Sequence, residues 1–216
     1  MRVYDAVFFD VDGTLIDSAP GILHSMRETF SRMGVDITDV NLWQYLGPPL
    51  RWTFSQHFDQ EEKIEQAVSC YRACYKEFGA DESELFAGAR EMLETLHHAG
   101  IPLYTATSKP TEVVIPMLRR LGIYDYFDAI GGASMGTDRD TKAAVIRWLL
   151  SRPELAGKKV LMVGDRAQDM IGAKECGLDA AAVLYGYGDR AELSPYTPRI
   201  LADTPEHLTS YILKGE

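Results

Sequence analysis

The sequence predicts an α/β protein built on a doubly wound parallel sheet, and three observations lead there. Four short apolar runs each end at polar or small residues: Ala6–Phe9 before Asp10, Leu103–Ala106 before Thr107, Val160–Val163 before Gly164, and Ala180–Leu184 before Tyr185. Runs of that length, apolar on both faces, suit the buried strands of a parallel sheet. Helical patterns alternate with the later runs, as strand–helix–strand units require. Between Asp10 and Thr107 the rhythm breaks, and the interval carries helical spacing with no convincing strand.

Taken in order, the first run is the first strand. Ile22, Met26 and Phe30, then Leu42, Tyr45 and Leu46, then Ile64, Ala67, Val68, Tyr71 and Tyr75 recur at helical spacing. Residues 17–84 therefore read as a small helical insert. The crossover helix follows at Ala89–Ala99, with Met92, Leu93 and Leu96 toward the sheet and Gly100 as its stop. Val113, Val114, Met117, Leu118 and Leu121 form the next helix, closed by Gly122. Val145, Ile146, Leu149 and Leu150 form another, and Met170–Cys176 runs to Gly177. Residues 1–16 and 85–216 are thus expected to make one Rossmann-like core, interrupted by a helical domain at 17–84.

Composition narrows the function. Of 216 residues, 46% are apolar and 25% charged, which excludes disordered and low-complexity classes. The formal charge of −10 leaves no electrostatic footprint for a nucleic acid polymer or an anionic membrane. Cys70, Cys74 and Cys176 have neither disulfide-framework nor zinc spacing and read as core residues. Asp5 and Asp10 precede any signal-like apolar run, and no stretch reaches the roughly 18 apolar residues of a membrane span. The expectation is a cytoplasmic protein, monomer or homodimer, acting on a small molecule.

Ligands of doubly wound sheets bind beyond the carboxyl ends of the strands. Those ends carry Asp10-Val11-Asp12-Gly13-Thr14, Thr107-Ser108-Lys109, Lys142 at a helix start, and Gly164-Asp165 with Asp169. Singly, each has an ordinary reading: Asp12-Gly13 a turn, Asp169 a helix cap, Lys142 a solvated charge. An EF-hand fails because Leu15 stands where that loop needs glycine. Together they put four carboxylates and one ammonium on one sheet edge. So much negative charge in a cleft calls for a cation or for raised pKa values. Mg²⁺ suits an all-oxygen site that also takes a substrate phosphate, which favours phosphoryl transfer to a carboxylate.

In order and spacing, Asp10-x-Asp12-Gly13-Thr14, Thr107, Lys142 and Gly164-Asp165-x-x-x-Asp169 resemble the four motifs of the haloacid dehalogenase-like hydrolases. They span residues 6 to 170, and the insert falls where that superfamily carries its cap. Asp17-Ser18-Ala19-Pro20, Gly47-Pro48-Pro49-Leu50, Thr107-Ser108-Lys109-Pro110 and Gly177-Leu178 are similar to the phosphoglycolate phosphatase and 5′-nucleotidase branch. The resemblance implies a phosphoric monoester hydrolase. Asp10 is then the nucleophile and Asp12 the general acid and base. Mg²⁺ lies on Asp10, the Asp12 backbone carbonyl, Asp165 and Asp169. Thr107 and Ser108 hold the phosphate, and Lys142 offsets charge.

Lys142 is followed by Ala143-Ala144-Val145 instead of the Pro-x-Pro of many phosphoglycolate phosphatases and sugar phosphomutases. The preceding Gly136–Thr141 loop looks more like that of 5′-nucleotidase-like members, which favours a nucleoside monophosphate over glycolate. Tyr185-Gly186-Tyr187-Gly188 reads as a base-stacking segment or an ordinary glycine-rich loop. Arg51, after the Gly47-Pro48-Pro49 turn, reads as a substrate-binding cation or a solvated first-turn residue. A phosphomutase, and at greater distance a phospho-accepting signalling module, remain the alternatives.

Overall fold

The computed structural model describes residues 3–134 and 139–215. The elements begin with β1 (Ala6–Phe9), β2 (Ile16–Asp17), α1 (Ala19–Arg32), α2 (Leu50–Ser55), α3 (Glu61–Cys74) and β3 (Glu84–Leu85). Next come α4 (Ala89–His98), β4 (Leu103–Pro110), α5 (Thr111–Arg120), β5 (Ala129–Ala133) and α6 (Lys142–Leu150). The chain closes with β6 (Val160–Gly164), α7 (Ala167–Glu175), β7 (Asp179–Val183), α8 (Arg190–Leu193), β8 (Leu201–Ala202) and α9 (Pro205–Lys214). Two compact units result: Met1–Ile16 with Leu85–Glu216, and Asp17–Glu84.

The larger unit holds a six-stranded parallel sheet in the order β5-β4-β1-β6-β7-β8. Alternation along β1 explains why the strand is apolar throughout. Val7 and Phe9 join a cluster with Met92, Leu93 and Leu96 of α4, Val114 and Leu118 of α5, and Leu208 of α9. Ala6 and Phe8 join the opposite cluster, with Val145, Ile146 and Leu149 of α6 and Ala173 of α7. The sheet is thus covered by helices on both faces, as a doubly wound fold requires. Strand order reverses at β1, with β4 and β5 to one side and β6–β8 to the other. The carboxyl end of β1 therefore opens on the switch point where such sheets bind ligands.

The four anticipated strands are present, the first with the expected ends and the other three with shifted ones. β4 runs on to Pro110, past a register shift after Ala106, so Thr107 and Ser108 lie within the strand. Two strands of the sheet escaped the pattern. β5 reads Ala-Ile-Gly-Gly-Ala, a composition that argues against a strand. Packing supplies the reason for its glycine: a Cβ on Gly131 would lie 2.5 Å from the Thr105 carbonyl oxygen and 2.8 Å from Leu149 Cδ1. β8 has two residues, too few for a periodic signal. The interval read as strand-free also holds β2 and β3, two residues each, which pair in a separate small sheet.

Residues 17–84 pack around aromatic rings. Phe30 of α1 meets Phe54 of α2 edge-on at 5.6 Å between centroids, and Phe54 meets Tyr71 of α3 at 6.3 Å. The Tyr45 hydroxyl and His57 Nε2 are 2.8 Å apart at the margin of that cluster. Cys70, Cys74 and Cys176 are free. Among the described residues no helix is long and apolar enough to cross a membrane. The Gly136-Thr137-Asp138 stretch singled out in the sequence lies outside the described residues.

Gly131→Ala should destabilise the protein by about 1–3 kcal/mol, because the added methyl must displace β4 or Leu149. A denaturant titration measures it, and an unchanged midpoint would show that β5 tolerates a side chain there.

Candidate active site

Asp10 leaves the end of β1, its backbone N–H donating to the Val163 carbonyl at 2.8 Å. A tight turn follows, in which the N–H groups of Leu15 and Ile16 both donate to the Val11 carbonyl at 3.0 Å. That turn brings the Thr14 hydroxyl to Asp165 Oδ1 at 3.2 Å. Lys142 opens α6, whose first turn is capped by the Thr141 side chain accepting from the Ala144 N–H at 3.2 Å. At the end of β6 the chain turns at Asp165 and enters α7 at Ala167, with Asp169 in its first turn. One oxygen of Asp169, Oδ2, accepts from the N–H groups of Asp165 and Arg166 at 3.2 and 3.0 Å. Asp169 is therefore the third residue of α7, reaching back to the N–H of the cap residue Arg166, and its other oxygen is turned to a second task.

That task is Lys142. The buried ammonium lies 2.8 Å from Asp10 Oδ1 and 2.7 Å from Asp169 Oδ1, and donates to the Ala106 carbonyl at 2.9 Å. Asp10, Asp165 and Asp169 are all buried, and one carboxylate oxygen from each lies within 4.8 Å of the others. Three clustered carboxylates, two of them paired with one ammonium, leave negative charge uncompensated. Burial raises the Asp10 pKa to about 6; Lys142 pulls it down, while Asp169 and Asp12 push it up. Burial also lifts Asp165 well above the carboxylate range, reinforced by Asp169 and Asp10. For Lys142 burial alone would lower the pKa, but Asp10 and Asp169 together outweigh it, so the ammonium stays charged. The donor set is all oxygen, clustered and short of positive charge, which fits a hard divalent cation.

Asp12 stands apart from that triad: its carboxylate accepts from Lys109 Nζ at 2.8 Å. Thr107 is buried, and its hydroxyl accepts from the Lys109 N–H at 3.2 Å; Ser108 is half-buried beside it in β4. Arg51 is placed otherwise: it is exposed in the helical insert and paired with Glu61 and Glu65 of α3. Recognition of an anionic substrate by Arg51 requires those carboxylates to release it.

Sequence reasoning gave no role to Lys109 or Thr14, although both lie inside the stretches it quoted. The Tyr185–Gly188 segment proves to be bracing. The Tyr187 N–H donates to Asp165 Oδ2 at 2.8 Å, and a Cβ on Gly188 would collide with the Asp165 carbonyl oxygen. The Tyr185 ring packs edge-on against Phe86 at 5.5 Å.

The raised Asp10 pKa fixes the sign of a pH effect in metal-free protein. The folded state holds this proton more tightly than the unfolded chain, so its contribution is fully present below about pH 4 and lost as pH passes about 6. Thermal melts in chelator should show stability falling across that window, and Asp10→Asn should flatten the fall. A melt that instead rises with pH equally in both proteins would contradict the charge balance described here.

Comparison with known proteins agrees with this geometry. The family described as haloacid dehalogenase-like hydrolase matches residues 7–183. A 5′-nucleotidase of Pseudomonas aeruginosa is 36% identical over 197 residues, which cover 90% of this chain and 89% of its own. The tyrosine-protein kinase PtkA of Mycobacterium tuberculosis is 37% identical over 183 residues, 84% of this chain and 62% of its own. A phosphoglycolate phosphatase of Vibrio vulnificus is 29% identical over 218 residues, 96% and 95% of the two chains. Among solved structures, a haloacid dehalogenase-like family hydrolase from Streptococcus pneumoniae superposes with a TM-score of 0.89 at 36% identity, covering 96% of this chain and 98% of that one. Motif, fold and comparison converge, and the chain belongs to the haloacid dehalogenase-like hydrolase family.

Proposed function

We propose that the protein is a Mg²⁺-dependent phosphatase that hydrolyses a small phosphomonoester by way of a phosphoryl group carried on Asp10. The buried cluster of Asp10, Asp165 and Asp169 around Lys142, at the switch point of the sheet, carries this reading. Asp10, Asp165 and Asp169, with the Asp12 backbone carbonyl, would hold the cation. When bound, Mg²⁺ polarises the phosphoryl oxygens and offsets the charge gathered there.

Asp10 forms the new bond to phosphorus as the bond to the leaving oxygen breaks. Asp12 delivers a proton to that oxygen, then accepts one from the water that cleaves the aspartyl phosphate. Lys109 keeps the Asp12 carboxylate in place between the two steps. Thr107 and Ser108 orient the phosphoryl oxygens, and Lys142 steadies negative charge on Asp10 and on the group in transfer. The helical unit serves as the cap that selects the substrate. Identity to a 5′-nucleotidase over nine-tenths of the chain, with Ala143-Ala144-Val145 after Lys142, supports a nucleoside monophosphate ahead of phosphoglycolate. Free cysteines support a reducing, cytoplasmic setting.

The test is a panel of phosphomonoesters with Mg²⁺, reading free phosphate, and repeated in EDTA. Turnover should need the cation. Asp10→Asn should abolish release with the fold intact. Asp12→Asn should lose about 10²–10⁴-fold on alkyl phosphates and less on p-nitrophenyl phosphate, whose leaving group needs little protonation. Stable phosphorylation with transfer to a second hydroxyl, and no free phosphate, would move the reading to a phosphomutase.

Arg51→Ala separates recognition from a surface role. If Arg51 leaves Glu61 and Glu65 to hold the substrate, its loss should weaken the natural substrate by about 1.5–3 kcal/mol and spare p-nitrophenyl phosphate. An exposed ion pair alone contributes at most about 1 kcal/mol to stability and nothing to selectivity.

A further inference from the structure

We infer that Glu192 is a positioning residue for the cation-binding loop Gly164–Asp169, acting through Arg166 and the Ala167 N–H. The inference rests on the proposed role of Asp165 and Asp169 as cation ligands.

A loop that aims two carboxylates into one pocket must be fixed from more than one side. From within, Asp169 Oδ2 ties the N–H groups of Asp165 and Arg166, and Thr14 and the Tyr187 N–H fix the two oxygens of Asp165. From the flank the loop is held by Glu192. Its Oε1 accepts from the Ala167 N–H at 2.8 Å and from Arg166 Nε at 2.9 Å. Ala167 is the first residue of α7, where an N–H has no partner inside the helix and a carboxylate meets the favourable end of the dipole. The Arg166 and Glu192 side chains are only 15% and 27% exposed, so the pair is shielded beyond the ordinary surface case.

Glu192 is itself held. The Asp189 side chain accepts from the Glu192 N–H at 2.8 Å and caps α8. The chain reaches α8 through Gly188, which lies against the Asp165 carbonyl with no room for a side chain. The segment from Gly186 to Glu192 thus forms one bracket that grips the loop at Asp165, Arg166 and Ala167. Outer-shell partners of this kind typically alter metal affinity by about 10–100-fold.

The test is calorimetric titration of the full chain with Mg²⁺, alongside thermal melts in chelator. Glu192→Ala should weaken Mg²⁺ binding by about tenfold or more while the chelated protein melts close to wild type. Glu192→Gln should fall between, because its amide oxygen still accepts from Ala167 but no longer pairs with Arg166. Adding Arg166→Ala to Glu192→Ala should cost little more, the signature of two residues acting as one unit. If Glu192→Ala does not fold, the isosteric Glu192→Gln decides. Wild-type affinity in the folded variants, or a drop in melting temperature with affinity intact, would overturn the positioning role and leave Glu192 a helix cap. Absence of Mg²⁺ binding in the wild type would instead remove the cation site, and this inference with it.

Discussion

The contact on which the site depends is the Lys142 ammonium, seated between Asp10 and Asp169 and removed from solvent. A buried charge is tolerated only when paired and hydrogen-bonded, and Lys142 meets both conditions, its remaining capacity reaching the Ala106 carbonyl. Each group comes from a different part of the fold: Asp10 from just past the end of β1, Asp169 from α7, Ala106 from β4, and Lys142 from α6. One ammonium therefore fastens four elements at the carboxyl edge of the sheet.

That fastening is incomplete by design of the charges. Burial and mutual repulsion hold Asp10 and Asp165 above the usual carboxylate range, opposed by Lys142 at Asp10 and by the Tyr187 N–H and Arg166 at Asp165. The fold thus supports an arrangement that favours a proton or a cation over bare carboxylates. Hydrogen bonds from Thr14 and Tyr187 keep Asp165 aimed despite that repulsion.

Much of this was legible in the sequence because parallel strands buried on both faces leave unbroken apolar runs, and their carboxyl ends can be read directly. Asp10 and Asp165 were read off that way, and Lys142 from its place at a helix start, and the structure brings these three with Asp169 together. β5 was hidden because its glycines answer to Thr105 and Leu149, residues distant in the chain, and not to local propensity. Lys109 and Glu192 were hidden for a related reason. A lysine beside a threonine, or a glutamate in a short polar helix, has no spacing signal, and its meaning appears only when Asp12 or Arg166 is brought to it. The Tyr185–Gly188 segment was visible, but whether its glycines served a ligand or the neighbouring backbone needed the positions of Asp165. Arg51 shows the converse, since a cation conspicuous in an acidic chain is occupied by two nearby glutamates.

The paired strands β2 and β3 carry one more implication. The chain departs through Ile16–Asp17 and comes back through Glu84–Leu85, and those two segments form their own small sheet. To the six-stranded sheet, everything between them is a closed loop whose ends are already side by side. The entropy of closing a loop grows only with the logarithm of its length, so lengthening or replacing this one would cost the sheet little. The insert is thus free to be exchanged while Asp10, Lys142, Asp165 and Asp169 stay under the separate and stricter demands of a packed interior.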